Sequence, residues 1–350
     1  MSKYWSSMAK RTTPYIPGLQ VNNPDIIKLN TNENAYPPSP RVLEAIQEEA
    51  QKLYLYPSPT ADDLRETIGS IYNLSKEQVF VGNGSDEVLA FSFMAFFEPG
   101  RRIRYPNITY SFYPVYARIF NIPVEEVALN EDFSLPVAEF FNAEGGVILP
   151  NPNAPTSLYA DLEHIEAIVK NNPDRVVIID EAYVDFAKGS AATLIPKYDN
   201  LLVIQTTSKS RALAGLRVGF ALGQEELIQG LTRIKDSFNS YTIDRLAMVG
   251  AKVAFEDQAY FQKITKKIIT TREWVTEEMK ELGFTVLPSQ ANFIFVTHED
   301  YRAEILYEQL KEAGVLVRYF NQPLIDNYLR ITIGTDEDMQ TFLEKLRGIL

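Results

Sequence analysis

The chain reads as an α/β protein: a larger part built on a mostly parallel central sheet, and a smaller α+β part assembled from both termini. Two observations predict this. Short continuous apolar runs at 79–81, 146–149, 176–179, 201–204 and 218–221 alternate with helical patterns. Continuous rather than alternating runs suit strands covered on both faces, and strand–helix alternation makes such strands parallel. Beyond residue 240 the order changes to a long charged helical stretch through Trp274 to Leu282, an apolar run at 291–296, a helix around 305–313, and runs at 315–317 and 329–334. The expected division is therefore an N-terminal segment 1–50 belonging to the small domain, a large domain 51–240, and the rest of the small domain at 241–350.

The elements follow in order. Ser39-Pro40 is a cap and first-turn pair for a helix carrying Val42, Leu43, Ile46, Ala50 and Leu53. The run at 79–81 leads through Gly82-Asn-Gly-Ser-Asp86 into an apolar helix, Val88 to Phe97. That stretch is about half the length a membrane span needs, so it is read as a buried helix. After the run at 146–149, Leu162, Ile165, Ile168 and Val169 recur at helical spacing, and the run at 176–179 then closes on Asp180. The charged N-terminus has no apolar core of a secretory signal, and the expectation is a cytoplasmic protein.

Composition removes several chemistries. A formal net charge of −12 argues against nucleic acid or an anionic membrane as partner, so any phosphate site has to be local. With no cysteine there is no disulfide, thiolate metal site or cysteine nucleophile. Two histidines, His164 and His298, leave no basis for a histidine metal cluster, and no metal is expected.

What remains is an amine, an acid and an arginine. Lys209 lies in Gln205-Thr-Thr-Ser-Lys-Ser-Arg-Ala-Leu-Ala-Gly-Leu-Arg217, downstream of the strand that ends on Asp180. A lone lysine among serines is usually a solvated surface amine. Together, a lysine able to form a Schiff base, a carboxylate to hold a pyridine nitrogen protonated and an arginine to balance phosphate suffice for pyridoxal 5'-phosphate. Loops at strand-to-helix junctions gather at the carboxyl edge of a parallel sheet, where ligands bind. The glycines of 82–86 permit a phosphate-binding turn, although alone such a motif more often marks a plain βα turn. Asn151-Pro-Asn-Ala-Pro-Thr156 is a stiff turn that also offers an amide to a phenolic oxygen; which of Asn151 and Asn153 does so stays open. Asp180 could equally cap the next element. Tyr183 could reach the same phenolic oxygen, and Tyr110, one of 19 tyrosines, reads by composition as core.

These segments resemble the fold-type I pyridoxal-phosphate aminotransferases, and among them the histidinol-phosphate aminotransferases. The likeness runs nearly end to end, through Pro14-Tyr-Ile-Pro-Gly18, Lys28-Leu-Asn-Thr-Asn-Glu-Asn-Ala-Tyr-Pro-Pro38, Leu55-Tyr-Pro57, Gly82-Asn-Gly-Ser-Asp-Glu87, Asn151-Pro-Asn-Ala-Pro-Thr156, Ile179-Asp-Glu-Ala-Tyr183, Ser208-Lys209 to Arg217, Ser289-Gln-Ala-Asn-Phe293, Gly314-Val-Leu-Val-Arg318 and Tyr328-Leu-Arg-Ile-Thr-Ile-Gly334. The resemblance implies that Lys209, Asp180 and Tyr183 are catalytic. It implies that Gly84, Ser85, Asp86, Thr206, Ser208 and Arg217 hold the cofactor with Tyr110 and Asn153, and that Tyr56 reaches the neighbouring subunit's phosphate in a homodimer. Arg330, Tyr15, Asn32 and Arg318 fall to the substrate side. The implied reaction exchanges an amino group between histidinol phosphate and 2-oxoglutarate, giving glutamate. An aromatic-amino-acid aminotransferase or a threonine-phosphate decarboxylase would share most of the pattern. Two departures stand out: Ala154 where the family run has a further asparagine, and Ser157 where it has glycine.

Overall fold

The computed structural model describes residues 3–14, 19, 23 and 25–350. Its main sheet has seven strands: β2 (Val79–Asn83), β3 (Ile103–Pro106), β4 (Val124–Val127), β5 (Val147–Pro150), β6 (Val177–Asp180), β7 (Leu201–Thr206) and β8 (Val218–Gly223), in the order β2-β8-β7-β6-β5-β3-β4. All neighbouring pairs are parallel except those of β8, which runs antiparallel to both β2 and β7. β3 and β4 escape the sequence reading. β3 carries Arg104 and ends on Pro106, and β4 reads Val-Glu-Glu-Val with its glutamates exposed, so neither is a continuous apolar run.

Strand periodicity divides the sheet into two buried faces. Val177, Ile179, Leu201 and Val203 face one core, and Ile178, Leu202 and Ile204 face the other. The second core is closed by α4 (Gly84–Phe96), which packs on β2 and β8 and against α5 (Tyr113–Phe120) and α7 (Glu225–Phe238). This explains why α4 is apolar nearly all round.

A third core lies around an antiparallel sheet ordered β12 (Arg318–Tyr319), β13 (Leu329–Thr332), β10 (Phe293–Thr297) and β9 (Thr285–Val286). It takes in α9 (Gln258–Glu281), α10 (Ala303–Glu312) and α11 (Asp336–Ile349). The N-terminal segment joins it through β1 (Ile27–Lys28), which pairs in parallel with β11 (Val315–Leu316), and through buried Leu29.

The packing departs from the expected boundaries at 50 and 240. The charged stretch beyond 240 breaks in two at Asp257, which accepts from the Tyr260 N–H to cap α9. The first half, α8 (Arg245–Glu256), places Ala247, Ala251 and Phe255 in the core of the large sheet. α2 (Pro40–Glu49) follows it, since Val42 packs on Leu213 and Ala254. The apolar stripe of each helix is equally compatible with either core. Only the break at Asp257 decides.

Candidate active site

Three strand ends meet at one edge. Register pairs Pro150 with Asp180 and Asp180 with Ile204, so the loops after β5, β6 and β7 open side by side. There a cavity of about 330 Å³ is lined by residues that include Ser85, Asp86, Tyr110, Asp180, Tyr183, Thr206, Ser208, Lys209 and Arg217. Nine of the residues singled out in the sequence thus share one cleft. The ends of β2, β6 and β7 and the start of antiparallel β8 bring them to the same edge of the sheet.

Asp180 is the most buried ionisable group lining the cleft. Burial pushes its carboxyl up to about 6, against the hydrogen bond from Tyr113, the Ala182 N–H and the positive charge of Lys209. Tyr113 Oη donates to Oδ2 at 2.9 Å, and the Ala182 N–H reaches Oδ1 at 3.3 Å. Burial and the facing carboxylate push the Tyr113 phenol well above its usual range, so it stays a donor. Sequence reasoning missed Tyr113. Its one signal was its place in the aromatic run after Pro106, which looks like core and is core.

Lys209 stands across the cleft, its Nζ 3.4 Å from the Thr31 carbonyl and 5.8 Å from the centre of the Tyr183 ring. Its loop is tied down by Asn34, whose amide donates to the carbonyls of Lys209 and Ser210 at 2.8 and 3.2 Å. Thr31 and Glu33 of the same N-terminal segment line the cleft. Burial works against ionising Glu33, but hydrogen bonds from Lys28 and Thr31 outweigh it and hold its carboxyl below the usual range.

The remaining wall is a cradle for an anion. Arg217 Nη2 lies 3.1 Å from Asp86 Oδ2, and Tyr110 donates to Oδ1 of the same carboxylate at 2.8 Å. Gly84, at φ +81°, opens α4, and a Cβ there would come within 2.5 Å of the Arg217 guanidinium. A Cβ on Gly219 would strike the Ser85 nitrogen at 2.2 Å. The two glycines let Arg217 and the first turn of α4 close on one point, beside the hydroxyls of Ser85, Thr206 and Ser208. A phosphate fits this cradle, a pyridinium fits buried Asp180, and an aldehyde fits Lys209. The donor set matches pyridoxal 5'-phosphate.

Other expected site residues fall elsewhere. Asn153 is turned away: its amide donates to the Ile108 carbonyl at 3.1 Å and to Thr156 Oγ1 at 2.9 Å, and with Asn151 it lines a separate cavity of about 270 Å³. Asn151 is equally engaged, giving to and taking from the backbone of Ala160 at 2.9 and 2.8 Å. The cleft side of that loop is Pro150, Pro152 and Ala154. Ser157 keeps the turn with φ +65°, a conformation that favours glycine, while its N–H bonds the Asn153 carbonyl at 2.8 Å.

Asn32, expected at the substrate, is buried and donates to Tyr183 Oη at 3.0 Å. Arg330 and Arg318 are cross-strand partners on the small sheet, outside the lining of the cleft. Arg330 donates to the Asn30 carbonyl at 3.0 Å and lies over the rings of Phe293 and Phe320. Tyr56 is 80% exposed, its ring against Tyr241 at 4.9 Å. Tyr15 lies outside the described residues.

The fold and this cleft define a pyridoxal-phosphate aminotransferase architecture. The aminotransferase class I and II family matches residues 24–346, and the chain belongs to that family. It is 59% identical, over all of this chain and 99% of the relative, to histidinol-phosphate aminotransferase 1 of Oceanobacillus iheyensis. It is 54% identical to a histidinol-phosphate aminotransferase of Clostridium botulinum, again over 100% of this chain and 99% of the relative. The crystal structure of histidinol-phosphate aminotransferase from Sinorhizobium meliloti, in complex with pyridoxal-5'-phosphate, superposes with a TM-score of 0.87 at 22% identity, covering 100% of this chain and 99% of that one.

Proposed function

We propose that this protein is a pyridoxal-phosphate-dependent transaminase that exchanges an amino group between L-histidinol phosphate and 2-oxoglutarate, as a cytoplasmic homodimer. The observation that carries the reading is the convergence of Lys209, Asp180, Tyr183 and Arg217 on one cleft, in a chain so similar end to end to named histidinol-phosphate aminotransferases.

Bound pyridoxal phosphate supplies an electron sink for the charge left when a proton leaves the carbon bearing the amino group. Arg217, Ser85, Thr206 and Ser208 hold its phosphate, and Gly84 keeps that approach open. Asp180, kept in place by Tyr113, holds the proton on the ring nitrogen. Lys209 Nζ anchors the aldehyde and, once the amino donor displaces it, takes the proton from the donor's carbon and returns it one position along. Tyr183 donates to the phenolic oxygen. Because the donor would give up its amino group and, on uptake of water, depart as a ketone before the next substrate enters, the kinetics are ping-pong.

The test is to load the protein with cofactor and offer amino donors singly. Histidinol phosphate and glutamate are expected to shift the cofactor's absorbance to that of its amine form, and 2-oxoglutarate to restore it. A faster response to phenylalanine or tyrosine would instead make the chain an aromatic-amino-acid aminotransferase. Release of carbon dioxide from threonine phosphate would make it a lyase.

The homodimer rests on Tyr56 and its surroundings. Tyr54, Tyr56 and Phe238 are 82%, 80% and 74% exposed, an aromatic surface that a subunit interface would cover. If Tyr56 serves the neighbour's cleft while Arg330 serves its own, Tyr56→Ala and Arg330→Ala subunits are each inactive alone. Mixed and re-paired, they recover activity in up to roughly a quarter of all sites, because one site of each hybrid carries both lesions and the other neither. No recovery in hybrids isolated as such would defeat the shared site.

A further inference from the structure

The Tyr183 hydroxyl donates to the cofactor only if its hydrogen points into the cleft, and the hydrogen bonds behind it set that direction. The backbone N–H of Asn32 donates to Thr332 Oγ1 at 3.0 Å, so the Thr332 hydroxyl hydrogen is free for the Asn32 side-chain oxygen, Oδ1, also at 3.0 Å. With Oδ1 held as an acceptor, the NH2 of the same amide faces Tyr183 and donates to Oη at 3.0 Å. An oxygen that accepts from Asn32 turns its own hydrogen away from Asn32. The open side of Tyr183 is the cleft, which it lines, with Lys209 Nζ 5.8 Å from its ring.

Two further features give this relay its weight. Among the described residues, the 150–154 turn sends no side-chain donor into the cleft, since those of it that reach the cleft are Pro150, Pro152 and Ala154. The amides of Asn151 and Asn153 are engaged elsewhere. Ala154 instead packs with Ala291 and Phe293, against which the Tyr183 ring also rests. Asn32 is 1% exposed and takes φ +55°, a left-handed conformation that asparagine and glycine tolerate best. Its backbone and its amide are thus both suited to the one place.

We propose that Asn32 is a positioning residue: with Thr332 it aims the Tyr183 hydroxyl proton at the phenolic oxygen of the cofactor, supplying the donor that no asparagine of the 151–154 turn provides. The inference rests on the cofactor reading above. A donor at the phenolic oxygen withdraws charge from it and makes the nitrogen joined to Lys209 less basic. Losing the donor raises the pH at which the bound cofactor changes its absorbance.

The experiment is a pH titration of the cofactor's absorbance in the full-length protein. Asn32→Gly keeps the left-handed backbone and deletes the amide, and raises the midpoint. Asn32→Asp keeps the shape but presents an acceptor, which draws the Tyr183 proton back. It raises the midpoint further, by about one to two pH units, the scale of one lost hydrogen bond to a charged group. Tyr183→Phe gives a shift at least as large, and adding Asn32→Gly to it moves the midpoint no more, because the two act through one hydroxyl. Thr332→Val, which removes only the hydroxyl that orients the amide, shifts the midpoint in the same direction and covers the case in which an Asn32 variant does not fold. A residue that merely supported the fold would change cofactor affinity without moving the midpoint. Cofactor-bound Asn32 and Thr332 variants with wild-type midpoints overturn the proposal, as does full additivity with Tyr183→Phe. A wild-type protein that shows no cofactor absorbance overturns the cofactor reading, and this inference with it.

Discussion

Lys209→Ala is expected to abolish amino transfer, by on the order of 10⁴-fold or more, while the cleft still binds pyridoxal phosphate non-covalently. The size follows from the role: the substitution removes both the covalent anchor and the base that carries the proton between adjacent atoms, and general-base catalysis alone contributes roughly 10²–10⁴-fold. Binding survives because the phosphate cradle of Gly84, Ser85 and Arg217 and the buried acid Asp180 lie on other loops. The loop carrying residue 209 keeps its shape, since Asn34 holds it by backbone carbonyls rather than by the lysine side chain. Cofactor titration by absorbance measures binding, and a single-turnover assay with histidinol phosphate measures transfer. A variant that turns over near the wild-type rate, or in which borohydride still fixes the cofactor to the chain, would show that another amine does the chemistry.

The parts of this site that were legible in the sequence are those whose chemistry is rare. A lysine between serines, an acid ending an apolar run and an arginine eight residues past the lysine are improbable together, and they do converge. Partnerships across the fold were not legible. Tyr113 reads as one more core aromatic, and only the packing of α5 against the sheet brings its hydroxyl to Asp180. Asn32 sits 151 residues from Tyr183 and 300 from Thr332, so nothing in its local sequence announces the relay. Asn153 shows the opposite failure. A motif position suggested an amide in the cleft, but the turn aims it at the Ile108 carbonyl, on the other side of the loop. Residue type is local information, whereas side-chain direction depends on the turn and on what competes for each hydrogen bond. The helices beyond 240 follow the same logic. The sequence shows one long charged helical stretch, but which core each half joins depends on the break at Asp257.

Asp180→Asn is expected to fold, to lose most of its activity, and to be more stable than wild type when empty. Activity falls because an amide cannot keep the ring nitrogen protonated, so the charge developing on the donor's carbon is no longer drawn off. Removing one preorganised electrostatic group of this kind costs about 10²–10³-fold in rate, and here the group is buried where it lines the cleft. The stability effect has the opposite sign. In the empty protein burial raises the Asp180 carboxyl from 3.8 to about 6, so the folded state binds its proton more tightly than the unfolded chain does. Below about pH 4 both states are protonated and the residue is neutral in its effect. As pH climbs from 4 to 6 the unfolded chain ionises first and is favoured, and above 6 the full penalty of a buried carboxylate is present, roughly 2–3 kcal/mol. Asparagine never ionises and still accepts from Tyr113. The empty variant should therefore melt above the empty wild type at pH 8, with the difference closing as pH falls towards 4. Glu181, pushed up to about 7 by its own burial, adds a like trend to both proteins and cancels in the comparison. Cofactor then reverses the order, because a pyridinium stabilises the carboxylate and has nothing to pair with in the amide. Thermal melts of both proteins, with and without cofactor, at pH 4.5 and 8 make the measurement. Equal melting temperatures for the empty proteins at pH 8, together with unchanged turnover, would reduce Asp180 to a residue that caps the turn after β6.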